Sequence, residues 1–165
     1  MTKFINGRGQ LGKHLLYQCD KIKDNPLIYH TWDVVEKSRK SQEEQYLKFK
    51  NFVDDNVDEK IVFISTRSQK ETWYTYYKQL SEAYLLTKCE KGIVIRLPTF
   101  VGKPSKLFLI NEDVKTYGHV ELISLEKAAN KIVEICNRDT ILKVIDVKGE
   151  MVSASLVREI VKVAR

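Results

Sequence analysis

The sequence predicts an α/β fold: a parallel sheet of about five strands, with helices on both faces. Three observations carry that expectation. Continuous apolar runs of strand length recur, most clearly "KIVFIST" at 60–66 and "GIVIRL" at 92–97, and unbroken apolar runs suit strands buried on both faces. Helical stretches separate these runs from end to end, and alternating strand and helix is the pattern of a parallel sheet with crossover helices. Finally, 165 residues with 43% hydrophobic and 30% charged content suit one domain with its own core.

The elements follow in order. "KFIN" at 3–6 reads as a short buried strand, followed by a glycine-rich turn and a helix carrying Leu11, Leu15 and Leu16 at helical spacing. "DNP" at 24–26 stops that helix. "LIYHTW" at 27–32 is apolar and β-rich. Residues 34–53 form a polar helix with Tyr46, Phe49, Phe52 and Val53 on one side. After the strand at 60–66, residues 71–88 make a strong amphipathic helix. The strand at 92–97 is stopped by Pro98. "VELIS" at 120–124 is a strand, 125–136 a helix, 141–147 a strand, and 153–164 a final helix with Ser153 as its N-cap. No repeat or linker divides the chain, so a single domain over 1–165 is expected.

Composition narrows the function. The net charge of +6 favours anionic partners. The basic residues are interleaved with acidic ones, as in "EKSRKSQEE" at 36–44, which describes a solvated helix face rather than a nucleic-acid stripe. A phosphorylated small molecule is therefore expected before nucleic acid. Cys19, Cys89 and Cys136 match no metal-ligand spacing or disulfide framework and are expected as small buried hydrophobes on helical stretches. No run reaches the length of a membrane span. "MTKFINGRG" turns polar too early for a secretory leader, so a cytoplasmic location is expected.

The stretch "INGRGQLGKHLL" at 5–16 places Gly7, Gly9 and Gly12 between a strand and a helix. That context is the one a dinucleotide-binding loop requires. The first glycine permits a tight turn, the second lets backbone approach a pyrophosphate, and the third lets helix pack on strand. The helix N-terminus then offers N–H groups to phosphate. The alternative is a tight turn with no ligand. Asp33 stands about twenty residues on, where such loops often have a ribose-binding acid.

Taken together, these motifs resemble the extended short-chain dehydrogenase/reductase family of sugar-nucleotide epimerases, dehydratases and reductases. "INGRGQLGKHL" is similar to its glycine loop, with one residue fewer between the first two glycines. "LIYHTW" resembles its fourth strand and "VFIST" its hydroxyl-ended fifth. Tyr74 and Lys78 stand where the family has Y-x-x-x-K, with Glu82 four positions further on. "IVIRLPTFVGK", "VELISLEKAANKIVEI" and "LKVIDVKGEMVSASLVREIVKV" are similar to its later segments, in order. Y-x-x-x-K occurs four times here, also at Tyr17/Lys21, Tyr46/Lys50 and Tyr84/Lys88. Only Tyr74/Lys78 opens the helix that directly follows the hydroxyl-ended strand.

The resemblance implies an NAD(P)-dependent oxidoreductase or epimerase acting on a nucleotide-linked sugar. Tyr74 would be the acid/base and Lys78 would tune it and orient the cofactor. Thr66, or secondly Ser65, would hold the substrate oxygen. Gly7, Arg8, Gly9, Gln10, Leu11, Gly12, His30, Lys78 and Pro98 would contact NAD or NADP. Residues i and i+4 share a helix face, and an ammonium near a phenol lowers its pKa. The bland alternative is an ordinary aromatic and a snorkelling lysine. The resemblance also implies a homodimer through the helix at 71–88, whose Trp73, Tyr76, Tyr77, Leu80 and Tyr84 fit core packing equally well.

Against that family the chain is short. Between Gly12 and Leu27 only one helix fits, so the usual second and third strands, which cover the cofactor's adenosine half, are expected to be missing. Asp33 then loses its ribose role. The segments that cover substrate, about 99–120 and 141–165, are expected to be vestigial. Either a partner subunit completes the cofactor site or the ligand is smaller than a dinucleotide. Two further readings stay open: a non-catalytic nucleotide-sensing or partner subunit on the same scaffold, and a basic interaction protein.

Overall fold

The computed structural model describes residues 4–7, 9–33, 36–101, 118–139 and 141–157. Five strands make the main sheet: β1 (Ile5–Asn6), β2 (Leu27–Tyr29), β3 (Ile61–Thr66), β4 (Ile93–Leu97) and β7 (Val144–Asp146), in that spatial order and all parallel. A smaller sheet holds β5 (Thr99–Val101), β6 (His119–Ser124) and β8 (Glu150–Ser153), with β5 and β6 parallel and β8 antiparallel to β6. The helices are α1 (Gln10–Tyr17), α2 (Arg39–Asp55), α3 (Trp73–Lys88) and α4 (Leu125–Cys136).

The alternation of side chains along each strand feeds two cores. Val62 and Ile64 join Leu11 and Leu15 of α1 and Ala128 and Ile132 of α4 on one face. Ile61 and Phe63 join Phe49 and Val53 of α2 and Tyr77 and Leu85 of α3 on the other. Hence α1 and α4 cover one face, and α2 and α3 cover the opposite face. Among the described residues no strand pairs with the outer edge of β1, as the spacing between Gly12 and Leu27 implied.

The structure corrects several expected boundaries. The strand expected over 27–32 ends at Tyr29. Beyond it the Thr31 N–H donates to the Asn6 side chain at 3.0 Å, and Trp32 turns into the α2–α3 core. The helix expected from 34 starts at Arg39, because Ser38 caps it, its Oγ accepting from the Ser41 N–H at 3.3 Å. Strand β7 is only three residues long, and Ile141 and Leu142 before it are exposed. "VELIS" does not enter the main sheet. Glu121 within it ion-pairs with Arg67 at the end of β3 and accepts the Gly149 N–H at 2.8 Å, which fastens the small sheet to the large one. A side chain at Gly149 would strike the Leu122 carbonyl, so only glycine lets the chain enter β8 so close to β6. A helical turn opens at 154, where the Leu156 N–H donates to Ser153 Oγ at 3.3 Å; the expected helix beyond 157 lies outside the described residues. Cys89 and Cys136 are buried, but Cys19 is half-buried in a 3₁₀ turn (Cys19–Lys21). No helix among the described residues is long and apolar enough to cross a membrane.

Candidate functional site

Parallel strands bring their C-terminal ends to one edge, and the Gly7 turn, His30, Thr66 and the start of α3 lie along it. After β1 the chain turns at Gly7, whose φ of +110° is a conformation that side chains rarely adopt. A Cβ there would stand 2.5 Å from Thr31 Oγ1 and 2.7 Å from His30 Nε2. A Cβ at Gly12 would run into the Gly7 carbonyl, so α1 packs against the turn only because Gly12 has no side chain. Around Gly9 nothing among the described residues lies within 4 Å of where a Cβ would be. Gly9 is also the N-cap of α1; it offers no side-chain acceptor, and the first turn carries no acidic residue. The loop thus has a strained turn, a close-packed helix and an open backbone between them, and the N–H-rich, positive end of a helix dipole suits an anion.

The other predicted loop residues differ in what they can offer. Leu11 is buried in the core and has only its backbone to present. Gln10 is half-buried. Arg8 lies outside the described residues. His30 is half-buried, with Nε2 3.4 Å from the Gly7 carbonyl oxygen. Burial pushes its pKa down, the Gly7 contact pushes it up, and the Lys78 charge adds to the lowering. Pro98 is buried in the join between the two sheets, its ring against Gly149.

At the end of β3, the two hydroxyls part company. Ser65 is buried and donates to Glu82 Oε1 at 2.5 Å. Thr66 accepts the Ser68 N–H at 3.0 Å, and its hydroxyl opposes the rise that burial imposes on the Tyr74 phenol. Ser65 shares the parity of Ile61 and Phe63, which face α2 and α3, whereas Thr66 is the last residue of the strand. Helix α3 is capped by Thr72, whose Oγ1 accepts from the Thr75 N–H at 3.2 Å, and this sets Tyr74 in the first turn. Lys78 lies one turn on. It is only 3% exposed, and its Nζ donates to the Ile64 carbonyl at 2.9 Å. Nζ stands 4.5 Å from the Trp32 ring centroid, 4.7 Å from that of Phe63 and 5.9 Å from that of Tyr74.

Burial dominates the electrostatics. It pushes the Tyr74 phenol up to about 12, against the opposing hydrogen bond from Thr66. It pushes the Lys78 ammonium down to about 7, against the opposing pull of Glu82. At neutral pH Tyr74 is therefore a proton donor, and Lys78 is divided between its charged and neutral forms. The expected lowering of the phenol by the ammonium is not seen: loss of solvent raises the phenol, and Thr66 is what opposes the rise.

Sequence reasoning noted Glu82 only as a motif match, yet it is the hub of this edge. It is 4% exposed, accepts from Ser65, and takes a forked pair from Arg96, with Nη2 at 2.6 Å and Nε at 3.1 Å. Asp146 at the end of β7 stands 4.0 Å from Arg96. A polar cleft of about 160 Å³ runs beside this network, lined by Thr66, Arg67, Gln79, Glu82, Arg96 and Asp146 among others. Gln42 was also missed, because a glutamine on a polar helix gives no sign of burial, yet it is fully enclosed and bonded to Trp32. A wider depression of about 430 Å³, lined by Lys13, His14, Tyr17, Gln18 and Glu126, shares no residue with the site. Among the described residues no cluster of His, Cys, Asp and Glu could hold a metal ion.

No protein-family model and no curated protein sequence matches the chain. Solved structures do. A UDP-N-acetylglucosamine 4-epimerase from Bacillus cereus superposes with a TM-score of 0.69 at 11% identity, over 90% of this chain and 76% of that one. The Bordetella bronchiseptica enzyme WbmG, solved in complex with NAD and UDP, gives 0.62 at 13% identity, over 94% of this chain and 59% of its own. The NAD-dependent NDP-hexosamine 5,6-dehydratase TunA gives 0.59 at 14%, over 88% and 62%. The chain thus has the Rossmann-like fold of these sugar-nucleotide enzymes in a shortened form, and it spans only about three-fifths of the length of the last two.

Proposed function

We propose that the chain binds an NAD-type dinucleotide at the Gly7–Gly12 loop and acts on a nucleotide-linked sugar through Thr66, Tyr74 and Lys78. The observation that carries the reading is the placement of Tyr74 and Lys78 on one face of α3, with Lys78 Nζ 5.9 Å from the Tyr74 ring centroid, at the same sheet edge as a glycine loop whose middle glycine is open. The residues fit the cofactor in part. The open backbone at Gly9 and the uncapped start of α1 suit a pyrophosphate, whereas Lys78 is enclosed. NAD or NADP, when bound, supplies the acceptor or donor of a hydride. Tyr74 holds the proton at its phenol oxygen and gives it to, or takes it from, a substrate oxygen. Thr66 positions that oxygen with its hydroxyl. Lys78, when charged, favours the phenolate.

Calorimetric titration with NADH and NADPH tests the reading directly, and failure of both to bind at millimolar concentration overturns it. Tyr74→Phe should retain binding and lose turnover by about 100-fold or more, the usual worth of a positioned acid/base. The enclosure of Lys78 favours a second reading, a non-catalytic nucleotide-binding subunit. That reading predicts binding without turnover and no effect of Tyr74→Phe.

A further inference from the structure

Three aromatic rings surround the Lys78 ammonium, and they are not held alike. Phe63 belongs to β3 and Tyr74 to α3, so regular hydrogen-bond ladders fix both backbones. Trp32 follows the end of β2 and belongs to no ladder. Its indole Nε1–H instead donates to Gln42 Oε1 of α2 at 2.7 Å. The same glutamine donates from Nε2 to the backbone carbonyls of Asp33 at 2.9 Å and Glu36 at 2.7 Å. One fully buried side chain therefore pins the ring that lies nearest to the ammonium.

We propose that the Trp32 indole is a movable cover over Lys78, latched by Gln42, and that a ligand reaching the ammonium must displace it. Gln42 acts only through Trp32 and is a positioning residue. The cover's role toward a cofactor rests on the dinucleotide reading; its existence does not. Swinging the indole away leaves every strand and helix paired, but it breaks the hydrogen bond to Gln42 and takes a ring that is only 9% exposed out of its packing beside Phe63. The closed cover also lowers apparent ligand affinity by the fraction of time that it is open.

Acetylation of lysines by an N-hydroxysuccinimide ester at pH 8, read by peptide mass spectrometry without any nucleotide, tests the cover. Exposed Lys48 serves as the internal standard. Gln42→Ala and Trp32→Phe should each raise the Lys78 rate about tenfold, the effect of losing a net hydrogen bond or slightly more. Trp32→Phe keeps a ring against Phe63, so it remains informative if Gln42→Ala fails to fold. Ile132→Val, in the core of the opposite face, supplies general destabilisation and should leave Lys78 as it was. If Lys78 in folded Trp32→Phe reacts no faster than in the wild type, or if Ile132→Val accelerates it equally, the cover is refuted. In the same variants NADH should bind about tenfold more tightly. Faster acetylation with no NADH or NADPH binding in any form would uphold the cover and remove the dinucleotide reading instead.

Discussion

Lys78→Met should stabilise the protein, and the gain should shrink as pH rises. The folded pKa of Lys78, about 7, lies below its ordinary 10.5 because burial disfavours the charged form. Between those values the native chain binds fewer protons than the unfolded one, so stability rises with pH across the window. The penalty is full below pH 7 and gone above pH 10.5. A shift of 3.5 units, from 10.5 to about 7, corresponds to roughly 4–5 kcal/mol at full extent. By the same relation about 2 kcal/mol of it should be relieved between pH 7 and pH 9. Methionine fills a similar volume without a charge, and it gives up the bond to the Ile64 carbonyl, worth about 1 kcal/mol. Lys78→Met should therefore be about 3 kcal/mol more stable than the wild type at pH 7 and about 1 kcal/mol more stable at pH 9. Urea unfolding of both proteins at half-unit pH steps gives this difference, in which the titrating groups that do not interact with Lys78 cancel. A difference that stays level from pH 7 to pH 9 would show that Lys78 is not held in a desolvated state, and the electrostatic account of the site would fall with it.

Three further outcomes follow from the same geometry. Gly9→Ala should leave stability within about 0.5 kcal/mol, since its Cβ meets nothing and its φ is ordinary, yet weaken NADH binding at least tenfold if a pyrophosphate lies against that backbone; calorimetry and urea unfolding on one sample separate the two effects. Glu82→Gln strips the charge partner from Arg96, which is about one-third exposed, so the cost should sit below that of a fully buried pair, at about 2 kcal/mol, seen as a fall in Tm of roughly 4–8 °C for a chain of this size. Trp73 and Tyr76 are about half-exposed on α3 beside Arg39, and if they form a homodimer face, sedimentation equilibrium should show Trp73→Glu as a monomer while the wild type is a dimer.

Much of the fold was legible because burial on two faces writes itself as unbroken apolar runs. Ile61–Thr66 and Ile93–Leu97 needed no context. The choice between Thr66 and Ser65 was not legible in strand alternation, which turns Ser65, together with Ile61 and Phe63, toward α3. The sequence could not show the end of β2 at Tyr29. His30, Thr31 and Trp32 have strand-forming side chains, and only the long-range bonds to Asn6 and Gln42 draw them out of the ladder. The small sheet was hidden for a similar reason: a lone glycine at 149 and one carboxylate at Glu121 decide where "VELIS" pairs, and neither alters hydrophobic periodicity. The enclosure of Lys78 depends on residues 32, 63 and 74, which come from three different elements, so no local pattern announces it.

The missing strands leave a topological mark that bears on the ligand. From β1 to β4 the chain steps in one direction across the sheet, yet α1 lies on one face and α2 and α3 on the other. Crossovers that step the same way on opposite faces have opposite hands. The connection from β4 to β7 passes through α4 on the face of α1 and steps the same way, so α1 and α4 share one hand and α2 and α3 the other; since about 98% of such units are right-handed, one of the two pairs is the exception. A ligand crevice in an open α/β sheet forms where neighbouring strands send their connections to opposite faces, which usually requires the strand order to reverse. Here the order does not reverse, and the connections change face at β2, from α1 to α2. At this point the Gly7 turn packs against His30 and Thr31, so that a Cβ on Gly7 would stand 2.5 Å from Thr31 Oγ1. If the Gly7 turn holds a pyrophosphate, as proposed, then among the described residues no strand on the outer flank of β1 floors an adenosine.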